Sequence, residues 1–279
     1  MKTKGGKVLY FIVVVIFLIF TAGPFIWAFS VSVTPEFEMF KNTMSMLPSK
    51  LNWDNYVTLF TASSRQNKIL FQGMFNSLKA VGITLLIGLP VALMSAYSLA
   101  RLEFKGKKLI KNAILITMVI PVFATVIPLY RIFVSYQLLD KMFWLSLVYA
   151  SSFLPMSIWL MINYFSTIPV EIEEAARVDG CGRIRTFFEI LMPIAYPVVI
   201  SSALIMFLSA WNQFQIPLIL ASSFQTKPVS IVTSEFMVKD SIQYGITAAA
   251  GLLAIVPPAA TALILRKYLV SGMTRGTGK

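Results

Sequence analysis

Residues 169–193, PVEIEEAARVDGCGRIRTFFEILMP, form a polar stretch held between two long apolar runs. Pro169 suits a first helical turn, where its missing N–H has no partner to lose. Glu171, Glu173 and Glu174 place negative charge at the positive end of a helix dipole. Glu173 and Arg177 stand four apart, in the favourable order for a surface ion pair. Ile172, Ala175, Ala176 and Asp179 recur at i, i+3, i+4 and i+7, so the spacing predicts one face centred on two methyl groups and open to close approach by a partner. Gly180 can take the left-handed conformation that ends a helix, Gly182 follows, and the chain resumes from Arg183 to Leu191 before Pro193 opens the next apolar run. The stretch therefore reads as a helix, turn, helix knuckle lying on a membrane surface and presented to something in the water.

Composition decides the fold class. Of the 279 residues, 57% are hydrophobic and 13% charged, and the mean hydropathy is +0.76, against about 45 to 50% apolar in an average globular domain. This is an all-α integral membrane protein. Runs of roughly 20 apolar residues, enough to cross about 30 Å of hydrocarbon, predict six transmembrane helices at 8–33, 78–100, 112–130, 142–165, 194–221 and 246–265. They make one membrane domain over 1–279, with a polar loop at 166–192 and a tail at 266–279. Six spans leave both termini on the same side. On that side the N-terminus, the 101–111 loop, the 166–192 loop and the tail carry 3, 5, 3 and 4 lysines and arginines. The opposite loops, 34–77, 131–141 and 222–245, carry 4, 2 and 2, although they are longer in total. Positive residues concentrate in the cytoplasm, so both termini and the knuckle are expected there. This asymmetry and anionic lipid account for the net charge of +12 without nucleic acid, since no basic patch is interleaved with exposed aromatics. The first apolar run is too long for the core of a signal peptide and is expected to stay as a span.

Several chemistries are missing. The chain has no histidine and one cysteine, Cys181, which leaves no metal-ligand cluster, no intrachain disulfide and no common general base. No G-x-x-x-x-G-K-[ST] run is present, so any ATP and magnesium belong to another polypeptide. The spans hold no Asp, Glu or Arg and only Lys79 at the edge of the second. An ion-coupled carrier would ordinarily keep a carboxylate near the midplane, although a sodium site built of carbonyls would escape that test.

Other features concern packing and passage. Pro90, Pro121, Pro155, Pro217, Pro257 and Pro258 lie in or near apolar runs and predict kinks. Gly88, Ala92, Ala96 and Ala100 recur every four residues, a small-residue seam for a close helix crossing. Trp211, Asn212, Gln213, Phe214 and Gln215 interrupt the fifth span, and three amides within four residues must bond to a neighbouring helix or line a wet path. An aromatic beside uncharged amides suits a neutral hydroxylated ligand; interhelical bonding is the equal alternative.

Glu174, Ala175 and Ala176, with Gly180 after three residues and then Ile190, Met192 and Pro193, resemble the EAA loop of the permease subunits of binding-protein-dependent ABC importers. Met192 stands where that pattern usually has Leu. The run NWDNYVTLF from Asn52 to Phe60, Asn76-Ser77-Leu78 and the tail RKYLVSGMTRGTGK are similar to the carbohydrate-uptake branch, specifically its maltose-type second permease subunit, over essentially the whole chain. The resemblance implies the type I importer fold, with Glu171, Glu174, Ala175, Ala176, Asp179 and Gly180 coupling to the ATPase. It implies as partners a second, homologous permease, two ATPase subunits that bind ATP and magnesium, and an external solute-binding protein. The chain itself is then no enzyme and carries no cofactor. Trp211, Asn212, Gln213 and Gln215 remain candidates for the translocation path. The solute stays open between a disaccharide, an oligosaccharide, and a polyol or glycerol phosphoester. The tail is either a basic membrane anchor or a flexible arm that reaches a partner.

Overall fold

A computed structural model describes residues 4–41, 48–236 and 243–274. Among these residues the chain is helix and connecting turn: α1 Lys4–Ser32, α2 Glu36–Lys41, α3 Asp54–Phe60, α4 Arg65–Arg101, α5 Lys107–Thr117, α6 Val122–Ser135, α7 Met142–Thr167, α8 Glu171–Val178, α9 Arg183–Arg185, a π-helical turn Thr186–Leu191, α10 Met192–Trp211, α11 Gln215–Leu220, α12 Val229–Glu235 and α13 Tyr244–Thr274. Five helices are long and apolar enough to cross a membrane, or six if α5 and α6 count as one broken span.

That break corrects the third expected span. Instead of one helix over 112–130, α5 and α6 meet at 95°. Pro121 stands at the joint with extended backbone, φ −68° and ψ 135°. Its ring removes a helical donor and disfavours helical geometry at Ile120. By contrast, Pro90, Pro155, Pro257 and Pro258 lie inside uninterrupted helices. The second span is also longer than its apolar core, because α4 begins at Arg65. The fifth ends at Trp211, ten residues before the expected boundary.

The described residues fall into two compact units. One gathers the chain up to Gln72 with Ile231–Val256; the other gathers Gly73–Ser230 with the segment from Pro257. In the first, α1 carries apolar side chains all round, Phe20 being 83% exposed, as a helix solvated by lipid should. The segment at Asn52 to Phe60 closes onto the end of α1. The Asn52 N–H donates to the Val33 carbonyl (2.8 Å), the Asn55 amide donates to the Ser32 carbonyl (2.9 Å), and the Tyr56 and Ser32 hydroxyls bond at 2.8 Å.

In the second unit, the core runs where α4, α7 and α10 cross. Ala92, Leu93, Ala96 and Leu99 of α4 pack with Ile158, Met161, Ile162 and Phe165 of α7, and with Leu191, Ala195 and Val198. Association in lipid rests on close van der Waals contact, since burying apolar surface gains little there. The small-residue seam supplies it: Ala92 and Ala96 are fully buried. Nearer the start of α4, the Asn76 amide donates to the carbonyls of Phe224 (3.1 Å) and Lys227 (3.0 Å) in the loop before α12, and the Val229 N–H donates to the Ser77 hydroxyl (2.9 Å). Of the tail, Gly272 lies within α13, whereas Gly276 and Gly278 lie outside the described residues.

Candidate functional site

The knuckle forms as its sequence dictates. Helix α8 opens with Glu171, Glu173 and Glu174 in its first turn and Arg177 in its last, matching both ends of the dipole. It stops at Gly180, whose φ is +81°. The Cys181 N–H donates to the Ala176 carbonyl (2.8 Å) and the Gly180 N–H to the Arg177 carbonyl (3.0 Å). That bond pair is the Schellman closure, which satisfies the last carbonyls of the helix through one left-handed residue. The chain then restarts, with the Thr186 N–H and hydroxyl both donating to the Gly182 carbonyl (2.9 and 3.1 Å).

Which face looks outward differs from the expectation. Ala176 is buried at 3% exposure, Glu173 is buried, and Ile172 is half-buried. The presented surface is Glu171, Glu174, Ala175, Val178 and Asp179, with Val178 88% exposed. These residues recur at i, i+3, i+4, i+7 and i+8, one stripe of the helix. Only Ala175 of the two alanines offers its methyl group to a partner. Ile184 and Phe188, just beyond the turn, are also exposed, at 77% and 56%, and line an open surface cleft with Gly182, Arg183, Arg185 and Glu189.

The reason for the rotation is Arg101, the last residue of α4. Its Nε lies 2.8 Å from Glu173 Oε1, and the two side chains are 8% and 7% exposed. The N–H points off the contact axis, so this is an ion pair without hydrogen-bond alignment. The same guanidinium donates through Nη2 to the Ile168 carbonyl at the end of α7. The surface pair of Glu173 with Arg177 does not form. Sequence reasoning counted Arg101 only as one of the loop charges; an arginine at the very end of a span, opposite three acids, was the available signal.

The amides expected to interrupt the fifth span do so by ending its helix. They occupy the break between α10 and α11. Gln213 Oε1 accepts from the N–H groups of Phe214 (3.0 Å) and Gln215 (3.2 Å), and the Ser230 hydroxyl donates to the Gln213 carbonyl (2.7 Å). Its side chain thus caps the start of α11, replacing carbonyls that a broken helix cannot supply. Trp211 is buried and stacks on Phe207 with ring centroids 5.9 Å apart. Asn212 and Phe214 are exposed and Gln215 is half-buried. Among the described residues, Asn212 and Gln215 make no side-chain hydrogen bond, which leaves their amides for something else. Of the four candidates, Trp211 and Gln213 thus have partners within the chain, whereas the amides of Asn212 and Gln215 have none among the described residues. No cluster of acids and cysteine that could hold a metal ion occurs among the described residues.

A family profile described as binding-protein-dependent transport system inner membrane component matches residues 88–275. The chain is 28% identical over 280 residues to the trehalose/maltose transport system permease protein MalG of Thermococcus litoralis, covering 98% of this chain and 97% of that protein. It is 30% identical to the trehalose transport system permease protein SugB of Mycobacterium tuberculosis, covering 92% of each. A chain from the crystal structure of a bacterial ABC transporter that imports the acidic polysaccharide alginate superposes with a TM-score of 0.76 at 20% identity, over 96% of this chain and 99% of that one. The match is one of fold.

Proposed function

Because the chain belongs to the binding-protein-dependent transport system inner membrane components, we propose that it is one of two permease subunits through which an ATP-driven importer carries a di- or oligosaccharide. An external solute-binding protein delivers the sugar, a second permease chain completes the path, and two ATPase subunits bind ATP and magnesium. The observation that carries this reading is the outward stripe of α8, closed by the left-handed Gly180 and set inside a chain whose relatives along its whole length are named for sugar transport.

Glu171, Glu174, Ala175, Asp179 and Gly180 form the surface that docks the ATPase, while Ala176 acts from beneath by letting α8 lie close to its own support. Closure of the ATPase dimer on ATP displaces α8, and the spans attached to it rock so that the path opens outward; hydrolysis reverses the motion. This requires α8 to bind the ATPase differently in the two states, since equal affinity shifts no equilibrium. The excess of lysine and arginine at the termini, 101–111 and 166–192 supports a cytoplasmic knuckle.

The test is uptake in proteoliposomes holding both permeases and both ATPase subunits, with the solute-binding protein outside and ATP inside. Maltose, trehalose, chitobiose and a glycosyl glycerol form the panel. ATP-dependent uptake of a sugar, blocked when the binding protein is omitted, is the expected result. Uptake that follows an imposed sodium or proton gradient without ATP overturns the proposal. An impermeant thiol reagent supplied from outside should spare Cys181 in intact cells and label it in inverted vesicles stripped of ATPase; the reverse pattern refutes the orientation.

A further inference from the structure

The ion pair of Arg101 with Glu173 is largely buried, at 8% and 7% side-chain exposure. Such a pair loses hydration on burial that its mutual attraction repays only in part, so an apolar pair would hold these helices together at least as well. Stability alone therefore gives no reason for charge here. The connections give one. Through a single guanidinium, Arg101 joins the end of α4 to the first turn of α8 by the 2.8 Å ion pair and to the end of α7 by the bond to the Ile168 carbonyl. One helical turn back along α4, Tyr97 packs against Phe165 of α7 (centroids 6.0 Å) and Phe187 of the π-helical turn (4.7 Å), so an aromatic layer backs the charges on one side, while a small polar cavity lined by Arg101, Glu173 and Arg183 lies on another. Covalently, α8 is continuous only with α7 and with the segment that becomes α10. Without Arg101, the docking helix has no polar tie to α4 among the described residues, where α4 is the longest helix at 37 residues.

We propose that Arg101 is a positioning residue for transport: it is the strut through which displacement of α8 moves α4, so that α4, α7 and α10 shift as one body. This rests on α8 being the surface that docks the ATPase. A charged contact with a directional carbonyl bond suits the task, because it resists sliding in a way that an apolar contact of equal area does not.

The experiment reads ATP hydrolysed per solute imported by the reconstituted full complex, together with the amount of ATPase that copurifies. In Arg101→Gln the ATPase is expected to stay bound and to hydrolyse ATP, while ATP consumed per solute rises about 5-fold or more, the low end of ordinary coupling between sites. Arg101→Lys keeps a charge opposite Glu173 but cannot also reach the Ile168 carbonyl in the same geometry, and it is expected to fall between Arg101→Gln and the wild type. A wild-type ratio in assembled Arg101→Gln overturns the proposal, as does a parallel loss of hydrolysis and transport that leaves the ratio unchanged. If Arg101→Gln does not assemble, Arg101→Lys decides alone: a raised ratio supports the strut and a wild-type ratio removes it. Failure of the docking assignment is read separately, as ATPase that still copurifies with a Gly180→Val permease.

Discussion

Asp140, at a left-handed φ of 57°, accepts hydrogen bonds from both the N–H and the hydroxyl of Ser222, each at 2.6 Å, across 82 positions of the chain. Its carboxylate also accepts from the Ser223 N–H (2.8 Å) and the Thr226 hydroxyl (2.7 Å), and its own N–H donates to the Leu220 carbonyl (3.1 Å). A single acid thus ties the loop before α7 to the loop after α11. Burial pushes the carboxyl up, but the bonds from Ser222, Ser223 and Thr226 outweigh it and hold the group down at about 2, from an ordinary 3.8.

A depressed value in the folded state means that the contribution is complete above the unfolded carboxyl's titration and disappears as pH falls from about 4 through about 2. Asp140→Asn should lower the melting temperature of the assembled complex by a constant amount between pH 7 and pH 5, with the gap from wild type closing below about pH 4. A bond to a charged acceptor is worth about 1.5 to 3 kcal/mol, and water reaching this loop puts the expected loss at the low end. A gap that widens on acidification would contradict the assignment.

A second prediction follows from the crossing of α4 with α10. A Cβ added at Gly88 would stand 2.9 Å from the Met206 sulfur and 3.5 Å from the Ala150 methyl. The sulfur is the mobile end of a flexible chain, so Met206 can move aside. Ala at this helical position also gains about 1 kcal/mol of helix propensity over Gly. Gly88→Ala should therefore melt close to wild type. Gly88→Leu overfills the crossing and should cost about 1 to 3 kcal/mol, read as a fall in melting temperature and in yield of the detergent-purified complex.

What could be read from the chain follows the range of the forces involved. The helix of the knuckle and its end at Gly180 are local: acids on a dipole and a left-handed glycine need only neighbouring residues, and they appear where the sequence put them. The five long helices are legible because lipid demands about 20 apolar residues whatever the tertiary structure. The face that α8 turns outward was not legible, because Arg101, far away in sequence, sets it. The breaks at Pro121 and Gln213 were legible only in part: a kink at Pro121 and an interruption by the amides were expected, but not that a helix would end at either place. Hydropathy averages over a window and cannot see that one proline, or one amide acting as a cap, has ended a helix inside an apolar run.

The rotation of α8 separates two alanines that look equivalent in the sequence. Ala175→Glu adds a carboxylate to the exposed stripe and should abolish copurification of the ATPase while the permease melts as wild type. Ala176→Glu buries one beside Glu173 and should lower the yield of folded permease itself, because an unpaired charge is being desolvated. Gly180→Val forces a β-branched residue to φ +81°, at about 1 to 2 kcal/mol, and should lose ATPase binding with the spans intact. Pull-down of the ATPase alongside thermal melting of the permease alone distinguishes these outcomes. Equal behaviour of the two alanine variants would mean that α8 faces another way.

The break after α10 gives the last test, because it assigns different work to amides that stand side by side. Gln213→Met removes the oxygen that accepts from Phe214 and Gln215 and should chiefly cost stability, about 0.5 to 2 kcal/mol for a lost cap, with the Michaelis constant of the surviving complexes unchanged. Asn212→Leu and Gln215→Met remove amides that are free among the described residues. If these amides meet the sugar's hydroxyls, each substitution should leave the melting temperature in place and weaken transport affinity. A hydrogen bond worth about 0.5 to 1.5 kcal/mol net corresponds to roughly 2- to 13-fold in the Michaelis constant, within reach of initial-rate uptake normalised to assembled complex. Unchanged kinetics in both variants would take this break out of the sugar's path and place recognition on the partner permease, leaving Asn212 and Gln215 to water at the joint between two helices.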